Sequence, residues 1–304
     1  MTSPRIIIMG SLNMDLVVSM DRFPRLGETI RGEAIHYIPG GKGANQAVGS
    51  AKLGADTSMI GAVGDDAFGQ RIVEQLRQYG VDTTNVAVLD GESTGTATIL
   101  HAENDNAIVI VGGANDCCDE SMIDRTASII EQADVLIVQL EVPIATVRRA
   151  LEIAKAAGVR TILNPAPAHP LPDEVIALAD YFTPNETEFE SYSGASTATE
   201  TELVSAMQAW QHRYGHTLIV TRGKEGVSCA QDGGIDHYSA RPAEVVDTTG
   251  AGDCFNAALA YGLASEWPID RCLPFAVTAA SLSVTRFGAQ DGMSTLDEVT
   301  RITR

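Results

Sequence analysis

Positive charge is what this chain has least of. Its 21 lysines and arginines face 40 aspartates and glutamates, a formal net charge of −19 over 304 residues. Such a surface repels nucleic acid and anionic membrane, so polyanionic macromolecules are poor partners. A small anionic substrate is still admissible, because a local anion hole can overcome the global field. Cysteine is scarce too. Cys117, Cys118, Cys229, Cys254 and Cys272 are odd in number and contain no CxxC pair. That argues against a disulfide framework and a zinc site, and it fits a reducing cytoplasm. No apolar run approaches the ~18 residues of a membrane helix. The stretch Ile6-Ile7-Ile8-Met9 is too short for a signal peptide and soon meets Asp15. The six histidines are scattered, so no metal cluster shows. Internal repeats, low-complexity tracts and clear linkers are all missing. With 44% hydrophobic residues, the chain reads as one large α/β domain over residues 1–304.

What is present is an alternation of strand-like and helix-like stretches. Residues 5–9, 58–63, 135–140, 160–163 and 216–221 read as short buried strands; 68–79, 144–157, 200–214 and 270–285 read as helices. This is the grammar of a parallel sheet with helices on both faces, whose ligands lie outside the carboxyl ends of the strands. Residues 227–230 and 235–239 read as a hairpin. Four further segments, 16–20, 30–38, 95–101 and 107–111, look like a separate small sheet, with a polar turn at Glu103-Asn104-Asp105-Asn106. A sheet that small needs a surface to cover, either a site or a second copy of the chain.

Polar and glycine-rich clusters fall on the predicted strand ends. Asn13 and Asp15, two apart, face the same side of an extended segment and suit a polyol, although as turn residues they need no explanation. Pro39-Gly40-Gly41-Lys42-Gly43-Ala44-Asn45-Gln46-Ala47 opens an Ala-rich helix. It lacks the spacing and the Ser/Thr of a P-loop, and reads either as a plain helix start or as a close backbone approach to a ligand. Glu141 and Asn164 close two strands at one edge. Asn185 and Glu188 read as a helix cap with its partner three residues on, or as residues near a hydrated magnesium ion. No GxGxxG follows the first strand, which sets aside a dinucleotide-dependent dehydrogenase.

The chain is organised around Val245-Val246-Asp247-Thr248-Thr249-Gly250-Ala251-Gly252-Asp253. It reads as a strand end, a tight glycine turn and the first turn of an apolar helix. Free N–H groups and the helix dipole favour an anion there. Asp253 is then either an ordinary first-turn acid or a general base held beside the anion hole.

In this order the clusters resemble, nearly end to end, the PfkB/ribokinase family of ATP-dependent sugar and nucleoside kinases. Gly40-Gly41-Lys42-Gly43-Ala44-Asn45-Gln46-Ala47 is similar to the family's first signature, and Asp247-Thr248-Thr249-Gly250-Ala251-Gly252-Asp253 to its second. The resemblance implies a three-layer α/β/α sandwich with a mostly parallel central sheet and a small β-sheet lid near residues 14–20, 30–40 and 95–111. It implies that Asn13, Asp15, Gly41, Lys42, Asn45 and Glu141 hold a sugar. Gly250, Ala251 and Gly252 would form the anion hole beside the base Asp253. Asn185, Thr221, Gly223, Gly226 and Gly252 would serve the nucleotide, with Glu188 reaching Mg²⁺ through water. A monovalent cation, K⁺, would sit at Asp247, Thr249, Ser283, Arg286 and Gly288. Gly292 stands where a Ser-type ligand is expected, and Val277 where a polar residue often meets adenine. The implied reaction moves the ATP γ-phosphoryl to O5 of ribose, in a cytoplasmic homodimer joined through its lids. Rivals are a kinase for deoxyribose, fructose or a nucleoside, and a catalytically silent sugar- or nucleotide-binding regulator.

Overall fold

The structure is a computed structural model that describes residues 3–102, 105–231 and 234–303. The chain begins β1 (Arg5–Met9), β2 (Asn13–Ser19), β3 (Ala34–Gly40), α1 (Lys42–Lys52), β4 (Asp56–Gly64), α2 (Ala67–Gln78) and β5 (Asp82–Leu89). It continues with β6 (Gly95–Ala102), β7 (Asp105–Val111), α3 (Glu120–Ile130), β8 (Val135–Val138), α4 (Ile144–Ala157), β9 (Arg160–Leu163), α5 (Asp173–Ile176) and β10 (Tyr181–Phe182). Last come α6 (Glu186–Ser193), α7 (Glu200–Tyr214), β11 (Thr217–Thr221), β12 (Val227–Gln231), β13 (Gly234–Tyr238), α8 (Ala251–Ala264), α9 (Ile269–Ser283) and α10 (Leu296–Thr303).

Nine strands form the large sheet in the order β13-β12-β11-β10-β9-β8-β1-β4-β5. From β11 to β5 all neighbours are parallel, and β12 and β13 close one edge as an antiparallel hairpin. A strand buried on both faces should be apolar throughout. β1 is so from Ile6 onward, after the exposed Arg5: Ile6 and Ile8 enter the core shared with α1, α8 and α9, while Ile7 and Met9 enter the core shared with α3, α4 and α7. Strand order reverses at β1, which has β4 on one side and β8 on the other. The crevice beyond the carboxyl ends there is where a doubly wound sheet places its ligand. α8 is buried from Asp253 to Ala264 and apolar all round, as a helix inside a protein should be. Among the described residues no helix is long and apolar enough to cross a membrane.

The small sheet has the order β3-β2-β6-β7. Three of its expected segments form strands, but the fourth is shorter than the sequence suggested. Residues 30–33 are not strand; β3 starts at Ala34, opposite Ser19. Ile30 stands there among Arg31, Gly32 and Glu33, too polar to continue a ladder, and the Glu33 N–H makes the closing bond to the Ser19 carbonyl at 2.8 Å. The turn expected at Glu103–Asn106 includes residues 103 and 104, which lie outside the described residues. β2 starts at Asn13, so Asn13 and Asp15 belong to the strand itself. A second correction concerns Val245 and Val246, which do not end a strand. Both are exposed, and the N–H groups of Val246 and Asp247 bond the Val284 carbonyl at the end of α9, at 2.8 and 3.2 Å.

Candidate active site

α8 begins at Gly250, whose φ of 76° is left-handed and suits glycine. A Cβ at Gly250 would also come within 2.8 Å of the Ala289 Cβ. The first helical turn leaves orphan donors. The N–H groups of Gly252 and Asp253 have no acceptor among the described residues. Asp253 follows at once, and its side chain turns inward, 7% exposed.

A buried carboxylate needs donors. Asp253 Oδ2 accepts from Asn45 Nδ2 at 2.9 Å and Oδ1 accepts from Gln46 Nε2 at 3.0 Å. Both donors lie on the first turn of α1, which can approach α8 because a Cβ at Gly49 would already stand 2.8 Å from the Ala257 Cβ. The two amides are themselves oriented. Gln139 Nε2 donates to Gln46 Oε1 at 2.6 Å, and Gln46 Nε2 also donates to Asn164 Oδ1 at 3.1 Å. Asn164 Nδ2 donates to the Thr183 carbonyl, and the Thr183 hydroxyl to Asn256 Oδ1 at 2.7 Å. This network runs along the carboxyl ends of β8, β9 and β10 and returns to α8.

Four carboxylates surround one ammonium. Burial lowers the proton affinity of Lys42, but Asp253, Glu141, Glu188 and Asp15 together outweigh it, so the pKa moves up. Burial is the main cause raising Asp253, opposed by Lys42, Asn45 and Gln46. Burial also raises Glu188. Glu141 Oε2 accepts from the Ser11 hydroxyl at 2.5 Å and from the Lys42 N–H at 3.1 Å. Asp15 faces Gly40, where a Cβ would fall 2.4 Å from Oδ2. Asn13 Oδ1 accepts from Asn115 Nδ2 at 2.8 Å, and Asn115 is otherwise bonded to the Leu12 backbone.

The structure therefore brings Asn13, Asp15, Lys42, Asn45, Glu141 and Asp253 into one cluster. Asn185 and Glu188 form a complete capping box, each bonding the other's N–H at 2.8 Å. Beyond the α8 turn opens a cleft of about 730 Å³, lined among others by Asn185, Thr221, Gly223, Gly226, Ala251 and Val277. Gly252 lines it too, so the two orphan donors lie between this cleft and the acid cluster. Farther along, Asp247 accepts from the N–H groups of Thr249 and Gly288, both at 2.9 Å. The carbonyl oxygens of Ser283, Gly288 and Arg286 lie 2.8, 2.8 and 3.4 Å from where a Cβ of Gly292 would stand. Sequence reasoning placed Asn164 at a strand end without giving it a role, and it missed Ser11, Gln46, Asn115, Gln139 and Gln290. Gln139 reads as part of the strand 135–140 but follows β8, which ends at Val138; nothing local marked the others.

Comparison with known proteins places the whole chain in a family. A family model described as pfkB family carbohydrate kinase matches residues 3–296. The ribokinase of Bacillus subtilis is 43% identical over 294 residues, covering 97% of each chain. A deoxyribokinase of Salmonella typhimurium is 34% identical over 96% of each chain. Among solved structures, Arabidopsis thaliana ribokinase complexed with ribose and ATP matches with a TM-score of 0.94 at 35% identity, covering 100% of this chain and 99% of that one.

Asp15 carries a cost that can be measured. Burial first, then Glu141 and Asp253, push its carboxyl from 3.8 up to about 7, with Lys42 opposing. The folded protein thus binds this proton more tightly than the unfolded chain does, so stability falls as pH rises through that window. Asp15→Asn should raise the melting temperature at pH 8, with a smaller gain at pH 5. Calorimetry at the two pH values checks it; an equal shift at both would refute the burial argument.

Proposed function

This chain is a member of the pfkB family of carbohydrate kinases, and from that premise we propose that it transfers the γ-phosphoryl of ATP to O5 of D-ribose, giving ribose 5-phosphate and ADP. The observation that carries the proposal is the placement of Asp253. Its carboxylate is held by two amides on α1, at the third residue of a helix whose first turn has two unengaged N–H groups, between an acid-lined sugar site and a cleft. Asp253 takes the proton of the attacking hydroxyl. The N–H groups of Gly252 and Asp253, with the α8 dipole, hold the charge that builds on the phosphoryl oxygens. Asn13, Asp15 and Glu141 fix the sugar hydroxyls, and Lys42 offsets part of the acid cluster. Phosphoryl transfer asks mainly for such positioning and electrostatics.

Two ions belong to the same reading. Mg²⁺ takes few protein ligands and keeps its waters, so Glu188, half-buried at the junction of cleft and cluster, fits a water-mediated partner with Asn185 beside it. When bound, Mg²⁺ shares the phosphate charge. The three converging carbonyls at Gly292 fit K⁺, with Asp247 as the counter-charge that anchors Thr249 and Gly288. Gly292 itself contributes no side-chain oxygen. The cradle meets the anion turn through the Asp247–Thr249 bond and through Ala289 against Gly250, so K⁺ would shape the turn without meeting substrate.

The same reading extends to assembly. On one face of the small sheet Asp15 pairs with Ala97, Ala97 with Ile110, and Ile99 with Val17 and Ile108. The inner end of that face serves the sugar and the outer end is apolar. Ile108, Val109, Ile110 and Val111 are 48–61% exposed on an edge strand, a row that invites a partner. We propose a homodimer in which two such sheets cover each other.

Three measurements test the proposal. Asp253→Asn keeps the shape and removes the base, so kcat should fall at least about a hundredfold, while calorimetry still detects ribose and ATP binding. A near-normal kcat would return Asp253 to a merely structural acid. Ribose should exceed 2-deoxyribose in kcat/KM by about tenfold or more, since an unpaired buried polar group costs about 1–3 kcal/mol; equal constants would favour the deoxyribokinase-like alternative. Sedimentation should give twice the 32.2 kDa chain mass, and Ile108→Asp should shift it to the monomer. A fully active wild-type monomer at micromolar concentration would sink the assembly proposal.

A further inference from the structure

We propose that Gln290 is a positioning residue for Asp253, acting through Asn45. The inference rests on the reading of Asp253 as the base and deepens it.

Asn45 has one carboxamide and two demands on it. Its Nδ2 donates to Asp253 Oδ2 at 2.9 Å, and its Oδ1 accepts from Gln290 Nε2 at 3.1 Å. Gln290 Oε1 in turn accepts from Gln75 Nε2 on α2 at 2.8 Å. An ionised carboxylate only accepts. The chain of three amides is therefore polarised from one end: each must point its N–H groups towards Asp253 and its carbonyl away. An isolated Asn45 could turn over and present Oδ1 to the carboxylate, which would repel it. Gln290, donating to Oδ1, makes that orientation costly. Gln46, backed by Gln139, does the same for Asp253 Oδ1 from the other side.

Gln290 is unusually well held for a loop residue. It is 2% exposed. The Lys52 ammonium, at the far end of α1, donates to the backbone carbonyls of Gln290, Asp291 and Met293 at 2.8, 3.2 and 2.9 Å. The Tyr79 hydroxyl donates to the Asp291 carboxylate. Helices α1 and α2 thus grip the loop that carries Gln290, and the residue before it, Ala289, supports Gly250 at the anion turn. One loop backs both the orphan N–H groups and the base.

The consequence is electrostatic. Donation from Asn45 favours the ionised form of Asp253, and donation from Gln290 strengthens it by polarising the amide. The charged groups that also bear on Asp253 are Lys42 on α1, Glu141 after β8, Glu188 on α6 and Asp15 on β2. None lies on the 284–295 loop, so a change at Gln290 leaves them in place.

The test is the pH profile of kcat, with ribose and ATP, for wild type, Gln290→Leu, Gln290→Glu and Gln75→Met. In Gln290→Glu a carboxylate faces Asn45 Oδ1 and turns the amide over. The acidic limb of kcat should move up by roughly one pH unit, with kcat at neutral pH down about tenfold and KM for ATP unchanged. Gln290→Leu should move the limb the same way by less. Gln75→Met, made on a half-buried residue outside the loop, should give a small shift in the same direction and keeps the inference testable if neither Gln290 variant folds. An unmoved limb with a lowered melting temperature would make Gln290 a structural residue and overturn the inference. If the folded variants of either residue show the wild-type limb, it is overturned likewise. Absence of turnover by wild type would instead overturn the underlying reading, and this inference with it.

Discussion

The structure depends on keeping one carboxylate out of water. Asp253 is 7% exposed at a helix N-terminus, in an interior where an unpaired charge is prohibitive. The backbone N–H groups of its own helix could neutralise it, as they do for ordinary first-turn acids. Instead both oxygens turn to side-chain amides of α1, leaving those N–H groups unengaged. Everything near the site follows from that choice. α1 must lie against α8, so small residues meet where they cross, Gly49 at Ala257. α1 must also start close to the end of β1, and a Cβ at Gly43 would fall 2.7 Å from the Gly10 backbone. The amides need fixed orientations, so a second set of amides from β8, β9 and the 284–295 loop backs the first.

Much of the fold was legible in the sequence, and the reasons divide cleanly. β1, β4, β8 and β9 are short apolar runs closed by glycine or polar residues, and buried parallel strands have that pattern. The capping box at Asn185 and Glu188 was legible because it is local. Residues 30–33 and 245–246 were misread. The first extends a strand through one isoleucine into a polar stretch, and the second reads as a strand end because paired valines favour strands. Tertiary placement decided both. The anion turn and Asp253 could be read from a compact glycine pattern. The roles of Gln46, Gln139, Asn164, Asn115 and Gln290 could not. Buried and surface amides look alike in sequence, and their partners here lie about a hundred to two hundred and fifty positions apart. The sequence holds no periodicity for a network of that kind.

The charge of the site poses a problem that the backbone solves only in part. Asp15, Glu141, Glu188 and Asp253 surround Lys42, a cation that acts on all four. Adding a triphosphate to this cluster brings more negative charge against it. The α8 terminus supplies roughly half a positive charge, too little to offset several phosphate oxygens. The proposed Mg²⁺ beside Glu188 would answer that deficit, and its charge would oppose the raised proton affinities of Asp15 and Glu188.

In the proposed reading the small sheet ties substrate recognition to assembly. Side chains alternate along a strand, so residues of one parity share a face. Asp15 and Val17 are on the same face of β2, and their neighbours Ala97 and Ile99 continue it on β6. If Asp15 points at the sugar, as proposed, Val17, Ile99, Ile108 and Ile110 are committed to the same side. A register slip that hid those apolar residues would turn Asp15 away from the site. The apolar outer end is therefore a consequence of the inner end's duty, and the most economical way to cover it is a surface bearing the same pattern. In the proposed homodimer two copies facing each other would satisfy both ends at once, and closure over the sugar would be coupled to the contact between subunits.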